Sequence, residues 1–116
     1  MAEPRRILLV EDEPVIAFAL EDLVADLGYE VVGPAFRLPQ ALDIATAEPL
    51  DAAILDVNLN ELTSYPVAER LHARGVPFLF ATGYAESGVD WPHEVAVIAK
   101  PYTRDQVKVA LRSLLG

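Results

Sequence analysis

Four short apolar runs each stop at a polar or charged residue, and this pattern constrains the fold more than any other feature of the chain. Ile7-Leu8-Leu9-Val10 stops at Glu11-Asp12, and Ala53-Ile54-Leu55 stops at Asp56. Phe78-Leu79-Phe80-Ala81 stops at Thr82, and Val95-Ala96-Val97-Ile98-Ala99 stops at Lys100-Pro101. The runs are continuous rather than alternating, so each predicts a buried strand and Ile7 to Val10 one covered on both faces, as in a parallel sheet flanked by helices. Helical stripes lie between them: Ile16, Leu20, Leu23 and Leu27; Leu38, Ala41, Leu42 and Ala45; Val67, Ala68 and Leu71; Val107, Ala110, Leu111 and Leu114. Pro14 suits the first turn of the first helix and Gly28 its end. Gly75 closes the third helix, and Thr103 with Gln106 reads as a capping box for the last. With a further strand at Glu30 to Gly33, the chain consists of five β-α units joined by right-handed crossovers. The predicted fold is α/β: a doubly wound, five-stranded parallel sheet of flavodoxin-like order 2-1-3-4-5 with helices on both faces. The segment Gly83 to Glu94 has two Gly, one Pro and no apolar stripe, so the fourth helix is expected to be short or disordered.

The 116 residues fit one domain, 1–116, and the 53% apolar fraction supplies a core. A net charge of −9 with scattered Lys and Arg argues against nucleic acid or an anionic membrane surface as a direct partner. The absence of cysteine rules out disulfides and thiolate metal sites and fits a cytoplasmic location. The apolar stretch after Arg5-Arg6 is too short for a signal peptide or a membrane span.

In a doubly wound sheet the carboxyl ends of the strands converge on one crevice. Glu11, Asp12 and Glu13 taken alone are ordinary acids at a helix amino terminus, and Asp56 alone is an ordinary turn residue. Together they differ, because the first and third strands are neighbours and crowded carboxylates repel unless neutralised. A hard cation such as Mg²⁺, which prefers carboxylate, water and phosphate oxygens, neutralises them. The cluster therefore reads as a Mg²⁺ site around a nucleophilic Asp56, whose attack on phosphorus gives an acyl phosphate. Thr82 and Lys100 fall at the same crevice, as a hydroxyl donor and an ammonium for phosphoryl oxygens. Lys100-Pro101 is a candidate cis peptide. His72 and His93 have no partner at metal-ligand spacing and are expected to be solvated. Trp91 is expected to anchor its loop.

Acid pair, Asp, Thr and Lys-Pro, in this order and each at a strand end, closely resemble the receiver domain of two-component response regulators over about Arg6 to Leu115. The resemblance implies that Glu11 and Asp12 hold Mg²⁺ with Asp56 and the backbone carbonyl of Asn58. It implies that Asp56 accepts a phosphoryl group while Thr82 and Lys100 sense it. The donor would be a histidine kinase or a histidine phosphotransfer protein. Phe80-Ala81-Thr82-Gly83-Tyr84 resembles the motif of the FATGUY subfamily, whose members often pair with kinases of the HWE and HisKA2 types. Asp56-Val57-Asn58-Leu59-Asn60 and Ser64-Tyr65-Pro66-Val67-Ala68 resemble that subfamily as well.

The chain departs from most receivers in three places. Val97 stands where an aromatic switch residue is usual, Gly83 follows Thr82, and the interval from Thr82 to Lys100 is shorter by roughly a helical turn. The switch is therefore expected to reorder the segment Gly83 to Glu94, with Tyr84 as a moving ring. The implied function is a stand-alone, monomeric regulator without enzymatic output. It would act on an unknown downstream protein or serve as a phosphate sink. A small Mg²⁺-dependent aspartyl-phosphate phosphohydrolase is the alternative, against which Asn58 stands where such enzymes place a second acid. A flavodoxin-like cofactor module is opposed by Glu11-Asp12-Glu13-Pro14, which would repel a flavin phosphate.

Overall fold

The computed structural model of the chain describes residues 3–83 and 89–116. Strand β1 (Arg6–Val10) leads to helix α1 (Pro14–Asp26), β2 (Glu30–Ala35), α2 (Leu38–Ala47) and β3 (Ala52–Asp56). A small antiparallel hairpin, β4 (Asn58–Leu59) with β5 (Leu62–Thr63), precedes α3 (Tyr65–Ala73). Then come β6 (Phe78–Thr82), β7 (Ala96–Ala99) and α4 (Arg104–Leu115). The five long strands form one parallel sheet in the order β2-β1-β3-β6-β7. Setting the hairpin aside, this is the 2-1-3-4-5 order that the alternation of runs and stripes predicts.

Two cores lie on the two faces of the sheet, because successive strand residues point to opposite sides. Ile7, Leu9, Ile54 and Leu79 pack with Leu20 and Val24 of α1 and Val107 and Leu111 of α4. Leu8, Val10, Leu55 and Phe80 pack with Ala41 and Ala45 of α2 and Val67 and Leu71 of α3. Pro14 opens α1, and the capping box of Thr103 and Gln106 forms reciprocally at α4, with Gln106 N donating to Thr103 Oγ1 and Thr103 N to Gln106 Oε1.

The structure corrects two expectations and adds one element that the sequence did not signal. The fourth helix in chain order, α4, is present and regular. The short or disordered helix was placed at Gly83 to Glu94. There, Val89–Val95 run without a helix, and residues 84–88, Tyr84 included, lie outside the described residues. Strand β7 is not buried on both faces. It is the edge strand, so Ile98 packs into the α1/α4 core while Val97 on the opposite face is 45% exposed. The β4–β5 hairpin was not anticipated, since two-residue strands leave no periodic signal.

His72 and His93 are exposed but stack on each other, with ring centroids 4.5 Å apart. Trp91 packs edge-on against Phe78 and Phe80 at 5.5 and 6.0 Å. Lys100-Pro101 is cis, as is Gly33-Pro34.

One irregularity positions the site. The β1–β2 register advances by an extra residue on β2, from Leu8↔Val32 to Val10↔Ala35. Gly33, with φ of 97°, sits in that bulge. The bulge brings the Ala35 carbonyl to accept the Glu11 N–H at 3.0 Å, fixing the first acid past β1. A Cβ on residue 33 would lie 2.8 Å from Ala35 N and 3.1 Å from Leu9 O, both backbone atoms. Gly33→Ala is expected to cost about 2 kcal/mol or more, from the left-handed backbone and this clash. Urea unfolding checks it: the midpoint falls, and an unchanged midpoint would show that the bulge relaxes freely.

Candidate functional site

The β1–β3 register pairs Val10 with Leu55, so the next residues of the two strands, Glu11 and Asp56, lie side by side at the carboxyl edge. Asp56 pairs with Ala81 across β3–β6, and Thr82 pairs with Ala99 across β6–β7. Lys100 thus falls just beyond the last pair, and its N–H donates to the Thr82 carbonyl at 2.8 Å. The four runs therefore deliver their terminal residues to one place because the sheet is parallel and in this register. Glu11, Asp56 and Thr82 are buried there, at 2%, 6% and 4% exposure.

One ammonium ties the acids together. Lys100 Nζ lies 2.8 Å from Glu11 Oε1 and 3.2 Å from Asp56 Oδ2. The other oxygen of Glu11 accepts the Glu13 N–H at 3.1 Å. Asp12 stands at the rim, where its Oδ2 accepts the backbone N–H of Asn60 at 2.7 Å. Glu11, Asp12 and Asp56 each offer a carboxylate oxygen, and these oxygens lie within 4.8 Å of one another. Asn58 is exposed on β4, next to this group in the chain.

The environments push these groups apart. Burial, then the charge of Glu11, raises Asp56 to about 7 despite the opposing Lys100. Burial opposes the charge of Asp12, but the Asn60 amide and the neighbouring Glu11 and Asp56 carboxyls leave it below the usual value. Burial disfavours the Lys100 ammonium, but its bonds and charge interactions with Glu11 and Asp56 raise it overall. Burial, with the charges of Glu11 and Asp56, pushes the Tyr102 phenol well above its ordinary range. Among the described residues that hydroxyl is buried without a hydrogen-bond partner, as is Ser64 Oγ at the start of α3.

Three carboxylates against one ammonium leave an excess of negative charge in a buried place. The donor set is all hard oxygen, with no sulfur or imidazole, which suits Mg²⁺ and similar divalent cations. Glu11, Asp12, Asp56, Thr82 and Lys100 are therefore all at one sheet edge. Sequence reasoning missed the Asn60 N–H and the Tyr102 hydroxyl. The turn preference of Asn was the only signal for the first, and none pointed to the second.

Three comparisons place the chain among known proteins. The sequence model described as "Response regulator receiver domain" matches residues 7–112. The "Phyllosphere-induced regulator PhyR" of Methylorubrum extorquens is 35% identical over 114 residues, covering 94% of this chain and 43% of that protein. The chain spans two fifths to half of the curated relatives it matches. The solution structure of SdrG from Sphingomonas melonis Fr1 superposes with a TM-score of 0.86 at 45% identity, covering 100% of both chains. The receiver domain of the sensor histidine kinase PA1611 from Pseudomonas aeruginosa PAO1 superposes with a TM-score of 0.83 at 28% identity, over 97% of this chain and 98% of that one. That domain was solved with a magnesium ion coordinated in its active-site cleft.

The raised carboxyl of Asp56 has a consequence for stability. Between its ordinary value of 3.8 and about 7, the folded protein keeps a proton that the unfolded chain has released. The unfolded state then binds fewer protons, so stability falls as pH rises through that window. In metal-free buffer, Asp56→Asn is expected to remove this slope, since an amide does not titrate. Denaturation midpoints of both proteins from pH 4 to 8 check it, and parallel profiles would contradict the assignment.

Proposed function

The chain belongs to the family of response regulator receiver domains, and from that premise we propose that it accepts a phosphoryl group on Asp56 in a Mg²⁺-dependent reaction. The observation that carries this reading is the juxtaposition of three carboxylate oxygens within 4.8 Å with the Lys100 ammonium, at the carboxyl edge of a parallel sheet. Glu11, Asp12 and Asp56 would hold the cation, with the Asn58 carbonyl as a further oxygen ligand. When bound, Mg²⁺ offsets the charge of the carboxylates and of the incoming phosphoryl oxygens.

Each of the site residues has a share in the transfer. An Asp56 carboxylate oxygen attacks the phosphorus of a phosphohistidine. The phosphorus–nitrogen bond breaks, its electron pair returns to the imidazole ring, and an acyl phosphate remains on Asp56. Lys100 supplies positive charge already facing the reacting carboxylate. Thr82, at the end of the neighbouring strand, donates its hydroxyl to a phosphoryl oxygen. The exposed Val15 and Phe18 of α1 provide apolar contact for the donor protein beside the site.

The donor is a histidine kinase, of HWE or HisKA2 type, or a histidine phosphotransfer protein. The domain acts as a cytoplasmic regulator, similar in fold to SdrG along the whole of both chains. No helix among the described residues is long and apolar enough to cross a membrane. The output is a protein contact rather than an enzymatic reaction.

Incubation with Mg²⁺ and phosphoramidate, followed by intact mass measurement, tests the proposal. One phosphoryl adduct is expected on the wild-type protein. None is expected on Asp56→Asn or after chelation. A wild-type protein that stays unmodified beside a labelled control receiver would overturn it.

A further inference from the structure

Lys100 reaches Glu11 and Asp56 but makes no ion pair with Asp12, so the third carboxylate needs its own holder. That holder is a backbone amide from the next loop. Asn58 pairs with Thr63 and Leu59 with Leu62, leaving Asn60 and Glu61 as a two-residue turn. Asn60 has φ of 60°, and it is the only non-glycine residue with positive φ among those described. Asn is one of the few side chains that tolerate this region. Leu59, 1% exposed, pins the hairpin to the core beneath the site.

We propose that Asn60 is a positioning residue for metal binding. Its left-handed backbone presents the N–H to Asp12 Oδ2 at 2.7 Å, so that the β4–β5 hairpin fixes how this carboxylate faces the cation. The inference rests on the Mg²⁺ reading above and deepens it. A charged acceptor makes this a strong hydrogen bond. It holds one oxygen of Asp12 in place, and with it the carboxylate that would bind the metal. Partners that orient a ligand in this way are worth as much as tenfold or more in metal affinity. The same two-residue strand β4 carries Asn58, whose carbonyl is proposed as a ligand. The hairpin thus holds one ligand directly and orients another, from a single anchored element.

The side chain of residue 60 matters little in this scheme, whereas its backbone conformation matters greatly. Glycine reaches φ of 60° without penalty, and valine does not. Mg²⁺ titrations of ¹⁵N-labelled wild type, Asn60→Gly and Asn60→Val, read by amide shifts, separate the two contributions. Asn60→Gly is expected to bind within about twofold of wild type, and Asn60→Val about tenfold or more weakly. The residue 60 amide is expected downfield in the metal-free wild type and displaced upfield in Asp12→Ala. Thermal unfolding in chelator confirms that each variant is folded before its titration is read. Equal binding by wild type and Asn60→Val overturns the inference. So does equal weakening in the glycine and valine variants, or a residue 60 amide that ignores Asp12→Ala. A wild-type protein that binds no Mg²⁺ overturns the metal reading itself, and the inference with it.

Discussion

Mutual repulsion of carboxylates at one sheet edge sets the terms for the rest of the site. Glu11 and Asp56 are buried beside each other, with Asp12 at the rim. Such a cluster is unfavourable on its own, and its electrostatics are stronger for being partly withdrawn from water. Lys100 is the internal answer, and it works only because of register. Thr82 pairs with Ala99, so the next residue after β7 lies over the acids. A one-residue slip of an edge strand would send that side chain to the other face of the sheet. The placement of one ammonium therefore depends on the pairing of β6 with β7, and the charge balance of the site depends on that ammonium.

An edge strand is a weak place to mount so important a residue, and two features secure it. The Lys100 N–H donates to the Thr82 carbonyl, extending the ladder one step past the strand. On the amino-terminal side, the segment before β7 is fastened by Trp91, which sits among Tyr65, Phe78 and Phe80. Tyr65 adds a polar tie, its hydroxyl accepting the Asp90 N–H at 2.7 Å. Aromatic contacts of this kind each contribute about 0.5–1.5 kcal/mol beyond their buried area. The rings replace helical packing along Val89–Val95, where the described chain has no helix.

What was legible in the sequence was whatever has a period or a punctuation mark. The continuous runs ending at Val10, Leu55 and Ala81 became fully buried strands, and Pro14, Gly28, Gly75 and Thr103 mark helix ends as their chemistry requires. The strand ends then placed Glu11, Asp12, Asp56, Thr82 and Lys100 at one edge by topology alone. The exposure of Val97 was not foreseen from its apolar run, although the order 2-1-3-4-5 already places the fifth strand at the edge. The hairpin escaped because its strands are two residues long. Asn60 escaped because its contribution comes from a backbone N–H, which every non-proline residue has and no sequence pattern advertises.

The three acids have three different environments, and that difference is what makes the cluster more than a concentration of charge. Asp12 holds a backbone amide and stays below its ordinary value, so it remains an anion over the whole neutral range. Glu11 divides its oxygens between the Glu13 amide and Lys100, so its orientation is fixed from both ends. Asp56 has the shared ammonium against burial and the charge of Glu11, and it is raised to about 7. Titratable groups pushed in opposite directions mark a division of labour. The permanently charged, amide-held carboxylate suits the anchoring of a cation. The raised one is the carboxylate whose charge is least compensated within the protein. Positive charge brought in from outside would therefore favour its ionised form. On the proposed reading, a cation bound by these acids would favour ionisation of Asp56, through the same buried pair of carboxylates.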